Sequence, residues 1–123
     1  MVTWENGGQA FYAVANSASS PLSTPQLLGP AAAVAHTDVA LSDSGKAYAA
    51  ITDGTQVRGF YYDGGSWVAL NAGVLNSNPA DTAGGSLAEP KVAINASGKG
   101  AITWSEGPGG QEETFVRTVD GST

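Results

Sequence analysis

Residues 39–51 (VALSDSGKAYAAI) and residues 92–104 (VAINASGKGAITW) align without a gap at an offset of 53 residues. Five of the thirteen aligned pairs are identical: Val39/Val92, Ala40/Ala93, Ser44/Ser97, Gly45/Gly98 and Lys46/Lys99. Self-similarity at a period of about 50 residues is the signature of a repeat architecture. In both stretches a short turn containing glycine joins two apolar runs, which is the pattern of a β-hairpin. The sequence therefore predicts a chain built from copies of one β-rich unit.

The composition favours short strands and frequent turns over helices. Charged residues make up only 13% of the 123 residues, and glycine occurs 17 times. The charged share is about half of that in an ordinary soluble domain. Because Gly, Asn, Asp and Ser supply turns, this mixture is typical of an all-β chain with many reversals.

Charge and apolar patterning exclude several classes of function. The net charge is −6 with five basic residues, so we expect no nucleic-acid partner, since no basic stripe is available for phosphates. The apolar runs are too short for a membrane span, and we expect no membrane insertion. The chain has no cysteine, which excludes disulfides and thiolate metal sites. The start MVTWENGG lacks the regions of a signal peptide, yet the composition is common among bacterial exported proteins. We expect an extracellular or cell-surface location.

Each copy of the repeat divides into four strands, A to D. The strands expected in the middle copy are residues 37–41, 47–52, 56–62 and 66–70. The dipeptides Asp53-Gly54 and Asp63-Gly64 mark hairpin turns between them, because glycine accepts the positive φ that tight turns require.

The remaining chain fits two incomplete copies. Trp4 near the chain start corresponds to Trp104, so the start supplies strands B, C and D, and the chain end supplies A, B and C. We therefore expect ten strands in one segment. Its divisions are a partial unit at 1–36, a full unit at 37–89 and a partial unit at 90–123, with a long connection at 72–89.

The residues that define the last copy carry a family resemblance. They are Pro90, Val92, Ala93, Ile94, Asn95, Gly98, Ile102 and Trp104. The pattern resembles the blade repeat of bacterial exported β-propeller proteins of sialidase-like or lectin-like architecture. The resemblance implies four-stranded antiparallel blades, about two and a half in this chain. The alternative is a β-sandwich, which also uses short strands at this spacing.

Two and a half blades would leave open sheet edges and uncovered faces, which pair readily with other chains. We therefore expect either self-association into a homo-oligomer or packing against the rest of a longer propeller.

Catalytic groups are sparse, and we expect neither catalytic residues nor a metal or cofactor. The one histidine, His36, has no nucleophile motif near it. Glu5 and Glu106 follow Trp4 and Trp104 in different copies, which favours a repeated structural role over a catalytic carboxylate pair.

Arginine and aromatic side chains are the candidates for ligand binding. Planar rings stack on the C–H groups of sugars, and neighbouring polar groups bind the hydroxyls. The candidates are Arg58, Tyr61, Tyr62, Trp67 and Arg117, with the two arginines taken as equivalent positions of two copies. The interpretation is a non-catalytic segment for extracellular recognition or adhesion that binds a glycan or protein ligand. The alternatives are a non-catalytic part of a secreted carbohydrate-active enzyme and a self-assembling propeller fragment.

Overall fold

The two copies of the repeat form hairpins with matching turns. The Ser42 N–H donates to the Lys46 carbonyl at 2.8 Å, and the equivalent bond from Asn95 to Lys99 is 2.9 Å. Gly45 adopts a φ of +78° at the tip of the first turn. This left-handed conformation strains any residue with a Cβ, which explains the glycine there.

A computed structural model describes residues 1–29, 33–53, 56–76, 89–107 and 111–123, without the side chain of Ala72. The strands are β1 Val2–Asn6, β2 Gln9–Ala13, β3 Gln26–Leu27, β4 Val34–Leu41, β5 Ala47–Asp53, β6 Gln56–Tyr62, β7 Trp67–Ala69, β8 Lys91–Ile94, β9 Lys99–Glu106 and β10 Glu113–Asp120. A single 3₁₀ turn, Leu70–Gly73, follows β7 in the described part of the chain. Most of the predicted connection at 72–89 lies outside the described residues, as does Gly54 of the first predicted turn.

The strands form three antiparallel sheets. The first sheet has the order β1-β2-β3, the middle sheet β4-β5-β6-β7 and the third sheet β8-β9-β10. The all-β class is thus confirmed, and the ten strands of the described residues fall into sheets of three, four and three strands.

The middle sheet packs against a neighbour on each of its two faces. Successive side chains of a strand point to opposite faces of the sheet, and alternate residues of β5 accordingly join different cores. Ala49 and Ile51 pack with Ala10 of β2 and with Leu28, which directly follows β3 in the first sheet. Tyr48 packs instead with Ile102 of the third sheet. The fully buried β5 therefore lies at the centre of three stacked layers.

Among the described residues, two hydrogen bonds join the middle sheet to the third sheet. The Tyr48 hydroxyl donates to the Gly98 carbonyl at 3.1 Å. On the edge strand β4, Asp38 Oδ2 accepts the Val92 N–H of β8 at 2.7 Å. A hydrogen bond to a charged group contributes about 1.5–3 kcal/mol, so Asp38 is a substantial link between the first strands of these two sheets.

Within the described residues, the structure has no helix that is long and apolar enough to cross a membrane.

Candidate functional site

Three aromatic side chains meet where the first sheet packs on the middle sheet. Trp67 lies opposite Tyr62 across the β6–β7 pair, with ring centroids 5.1 Å apart. Tyr12 of β2 approaches Trp67 edge-on, at 5.6 Å and an interplanar angle of 76°. Edge-to-face contacts of this kind are favourable because a positive ring edge meets a negative ring face. Tyr12, Tyr62 and Trp67 form what we call the aromatic cluster.

The turn between β6 and β7 holds Tyr62 opposite Trp67. Asp63 Oδ1 accepts the N–H groups of Ser66 and Gly65, each at 2.8 Å. These backbone hydrogen bonds stabilise the carboxylate and lower the pKa of Asp63 below its ordinary 3.8. The turn therefore keeps its capping charge at neutral pH.

A cleft of about 700 Å³ opens beside the aromatic cluster. Its walls come from the segment after β2, the turn between β4 and β5, and the end of β6. The polar or aromatic residues that line it are Asn16, Ser17, Ser42, Asp43, Ser44 and Tyr62. We call this space the polar cleft, and Tyr62 belongs to both it and the aromatic cluster.

The polar groups of the cleft differ in how much of their hydrogen-bonding capacity is used within the chain. The Ser42 hydroxyl donates to the Lys46 carbonyl at 3.0 Å and lies 2.8 Å from the Ser44 hydroxyl. Asp43 is exposed, and its carboxylate has no hydrogen-bond or ion-pair partner among the described residues. A carboxylate accepts hydrogen bonds only, so Asp43 can receive two or more O–H groups from a ligand.

Tyr61, although adjacent in sequence to Tyr62, lies on the other face of β6. Its ring packs 5.2 Å from that of Tyr48, in the core shared with the third sheet. The structure thus brings Tyr62 and Trp67 together and separates Tyr61 from them.

The two predicted arginines lie away from the cleft. Arg58 pairs with Asp53 through Nε and donates from Nη2 to Gln56 Oε1, which closes the β5–β6 hairpin. It lies four residues before Tyr62 on β6, about 13 Å along the strand. Arg117 belongs to β10 of the third sheet. The described geometry gives Arg58 a structural contact and places Arg117 in another layer.

The strand register also corrects the equivalence of these arginines. Arg58 lies opposite Ile51, whose counterpart in the repeat is Trp104. Trp104 lies opposite Phe115, whereas Arg117 lies opposite Ile102. Phe115 is therefore the positional equivalent of Arg58, and Arg117 is displaced by two residues. Sequence alignment missed this because the loops before these strands differ in length.

The two glutamates taken as near-equivalent also occupy different environments. Glu5 accepts the Gly8 N–H at 2.8 Å in the turn after β1. Glu106 is buried and accepts the indole N–H of Trp104 at 2.6 Å. Each of the two carboxylates thus accepts a hydrogen bond within its own sheet. Among the described residues, no group of three or more His, Asp or Glu side chains is placed to hold a metal ion.

Sequence reasoning missed Tyr12 and the hydroxyl lining of the cleft. Tyr12 lies in an apolar run that alignment marked only as a strand, and its hydroxyl donates to Gln26 Oε1 at 2.6 Å. The serines around Asp43 also belong to the hairpin turn that the sequence predicts. A second cavity of about 660 Å³ lies on the third sheet and includes none of the predicted binding residues.

Comparison of the chain with protein-family models, with curated proteins and with solved structures finds no match.

Proposed function

We propose that this chain is a non-catalytic recognition module that binds a glycan outside the cell through the polar cleft. The observation that carries the proposal is the combination of one aromatic ring, Tyr62, with hydroxyl, amide and free carboxylate groups around one cleft. Sugars present C–H faces that stack on a ring and hydroxyls that both donate and accept hydrogen bonds. The cleft volume of about 700 Å³ is within the roughly 300–1,000 Å³ common for small-molecule sites.

The aromatic cluster supports this role by holding Tyr62 in place. Trp67 contacts both Tyr62 and Tyr12, so the ring at the cleft wall is backed by rings from two sheets. A binding ring that is already fixed loses little conformational entropy when a ligand arrives. The turn capped by Asp63 adds to the same rigidity.

The scaffold we propose for this site is a run of β-propeller blades like those of the exported sialidase-like and lectin-like proteins. Support comes from the 53-residue repeat, the face-to-face stacking of the sheets, and the contact of β4 with β8 through Asp38 and Val92. A β-sandwich also packs antiparallel sheets face to face. The repeat favours the propeller, because each blade meets the same packing problem against its neighbours.

The test is binding of fluorescently labelled chain to a printed glycan array, followed by titration of the best saccharide by calorimetry. Tyr62→Leu removes the ring from the cleft, and Tyr61→Leu is the matched control from the opposite face of the same strand. We expect Tyr62→Leu to weaken binding at least about tenfold, which corresponds to roughly 1.4 kcal/mol. Tyr61→Leu should leave affinity unchanged while the protein stays folded by circular dichroism.

A second pair of variants tests the carboxylate. Asp43→Ala and Asp120→Ala make the same charge change, but Asp120 lies on the third sheet in an exposed ion pair with Lys99 at 3.1 Å. If Asp43→Ala loses binding and Asp120→Ala does not, the result supports the polar cleft as the binding site. Equal losses in both variants, or no saccharide bound by the folded wild type, would overturn the proposal.

A further inference from the structure

The first sheet carries an apolar face that points away from the middle sheet. Ala10 and Tyr12 contact the middle sheet, so the alternate residues of the same sheet face outward. Trp4 and Phe11, each half-buried, form the centre of this outward face, on which Ala13 is buried. Its other large apolar side chains are 40% exposed (Val2) and 50% exposed (Leu27). We call this surface the Trp4 face.

The same aromatic pair occurs a second time in the chain, where its tryptophan is buried and its phenylalanine is half-buried. Trp4 and Phe11 lie opposite each other on paired strands and stack with centroids 5.8 Å apart at 18°. Trp104 and Phe115 also lie opposite each other, at 6.2 Å and 17°. The second pair packs on the middle sheet, where Trp104 is only 6% exposed. In the third sheet, therefore, a stacked Trp–Phe pair packs against the neighbouring sheet.

The outward face of the third sheet has the features of a matching surface. Its central side chains are small and neutral, and Val116 is 65% exposed. Ala101 stands where the middle copy of the repeat has Tyr48, and the cavity of about 660 Å³ lies there, lined also by Ala93 and Thr118. An incoming aromatic side chain would fill the space that Tyr48 fills in the middle sheet.

We propose that the Trp4 face binds the outward face of the third sheet of a second copy of this chain. The contact continues head to tail the stacking that joins the three sheets within one copy. The central side chains of both surfaces, the Trp4 face and the outward face of the third sheet, are uncharged. The contact would therefore bury no ion without a partner at its centre. Two charged pairs lie near the third-sheet surface, and each is paired within the chain: Lys91, opposite Thr103, with Glu89 at 3.3 Å, and Lys99 with Asp120 at 3.1 Å. The proposal rests on sheet packing and is independent of glycan binding at the cleft.

The two surfaces are different, so the contact is heterologous, and each copy offers one of each. We expect wild-type chain to give masses at multiples of 12.3 kDa in sedimentation equilibrium, with the share of larger species rising with concentration.

Leu27→Lys places a charge on the Trp4 face, and Val116→Lys places one on the third sheet, both at exposed positions. Leu22→Lys, at an exposed residue outside both surfaces, is the control.

Each lysine variant on its own should be monomeric, with self-association at least about tenfold weaker than in the wild type, while Leu22→Lys associates normally. A mixture of Leu27→Lys and Val116→Lys retains one intact contact and should form dimers but nothing larger. A monomeric wild type at the highest soluble concentration would overturn the proposal. So would association that survives both lysine variants, or a mixture that stays monomeric.

Discussion

Gly100 offers the sharpest test of how the middle and third sheets pack. A Cβ built on this residue would lie 2.6 Å from Tyr48 Cδ2, 2.7 Å from Tyr48 Cε2 and 2.9 Å from the Ala93 carbonyl oxygen. These distances are well below van der Waals contact. The Tyr48 ring is fully buried and bonded through its hydroxyl to Gly98, so it has no free space into which to move.

We expect Gly100→Ala to destabilise the protein by about 1–3 kcal/mol, the usual cost of forcing an extra methyl group into a packed core. Alanine also lowers the conformational entropy of the unfolded chain, and this effect offsets about 0.4–1 kcal/mol of the destabilisation. Gly65→Ala is the control, because its Cβ would meet nothing closer than Asp63 Oδ1 at 3.6 Å. That variant should be neutral or slightly stabilising.

Urea unfolding followed by circular dichroism measures both effects. With a slope of about 2 kcal/mol per molar urea, a loss of 2 kcal/mol lowers the midpoint by about 1 M. Tyr48→Val removes the ring atoms that Gly100→Ala would strike. In that background the cost of Gly100→Ala should fall by at least about 1 kcal/mol, a coupling typical of residues in contact. Equal costs in both backgrounds, within about 0.5 kcal/mol, would refute this packing.

Three further changes probe single interactions. Burial raises the pKa of Tyr48 above its ordinary 10.0, so the folded state holds this proton more tightly than the unfolded chain. The free energy of unfolding should therefore be unchanged below about pH 10 and should fall above it. Urea midpoints measured across that range should fall less steeply in Tyr48→Phe, which has no hydroxyl to ionise. Asp38→Ala should lower the free energy of unfolding by about 1.5–3 kcal/mol, because it leaves the Val92 N–H without its acceptor. Asp38→Asn keeps an acceptor oxygen and should recover most of this loss in the same urea assay. Hydrogen bonds from Ser66 and Gly65 lower the pKa of Asp63, so the carboxylate stabilises the folded state above about pH 3.8 and this stabilisation is lost as the pH falls further. The melting temperatures of wild type and Asp63→Ala should therefore converge in acid.

The strands were predictable because the repeat and the turn residues agree. Each prediction for the middle copy lies within a few residues of β4, β5, β6 and β7. Glycine with positive φ at Gly45 and the capped Asp63 turn are local features, so the sequence alone is enough to place them.

The candidate site was predictable only in part, because it depends on contacts between sheets. Tyr62 and Trp67 flank one turn, and the sequence therefore places them together. Tyr12 comes from another sheet, about 50 residues earlier in the chain than either, and only three-dimensional packing joins it to them. Strand alternation already separates Tyr61 from Tyr62, and the prediction that grouped them gave this rule too little weight.

The register of β10 shows a different cause of error. The dipeptide Val-Arg occurs at residues 57–58 and again at 116–117, and aligning these two sites equates Arg117 with Arg58. The hydrogen-bonded ladder instead equates Phe115 with Arg58. Loops of unequal length carry no register information, so this shift could not be read from the sequence. The shift matters, because it places Phe115 beside Trp104 and creates the stacked Trp–Phe pair that the Trp4 face repeats.

The most direct test of the central claim is a titration of isotope-labelled chain with the best saccharide from the array, followed by amide chemical shifts. If the polar cleft is the binding site, the largest shifts will fall on Asn16, Ser17, residues 42–45 and Tyr62, with the third sheet unchanged. Shifts centred on the third sheet, or no shifts at millimolar saccharide, would contradict it.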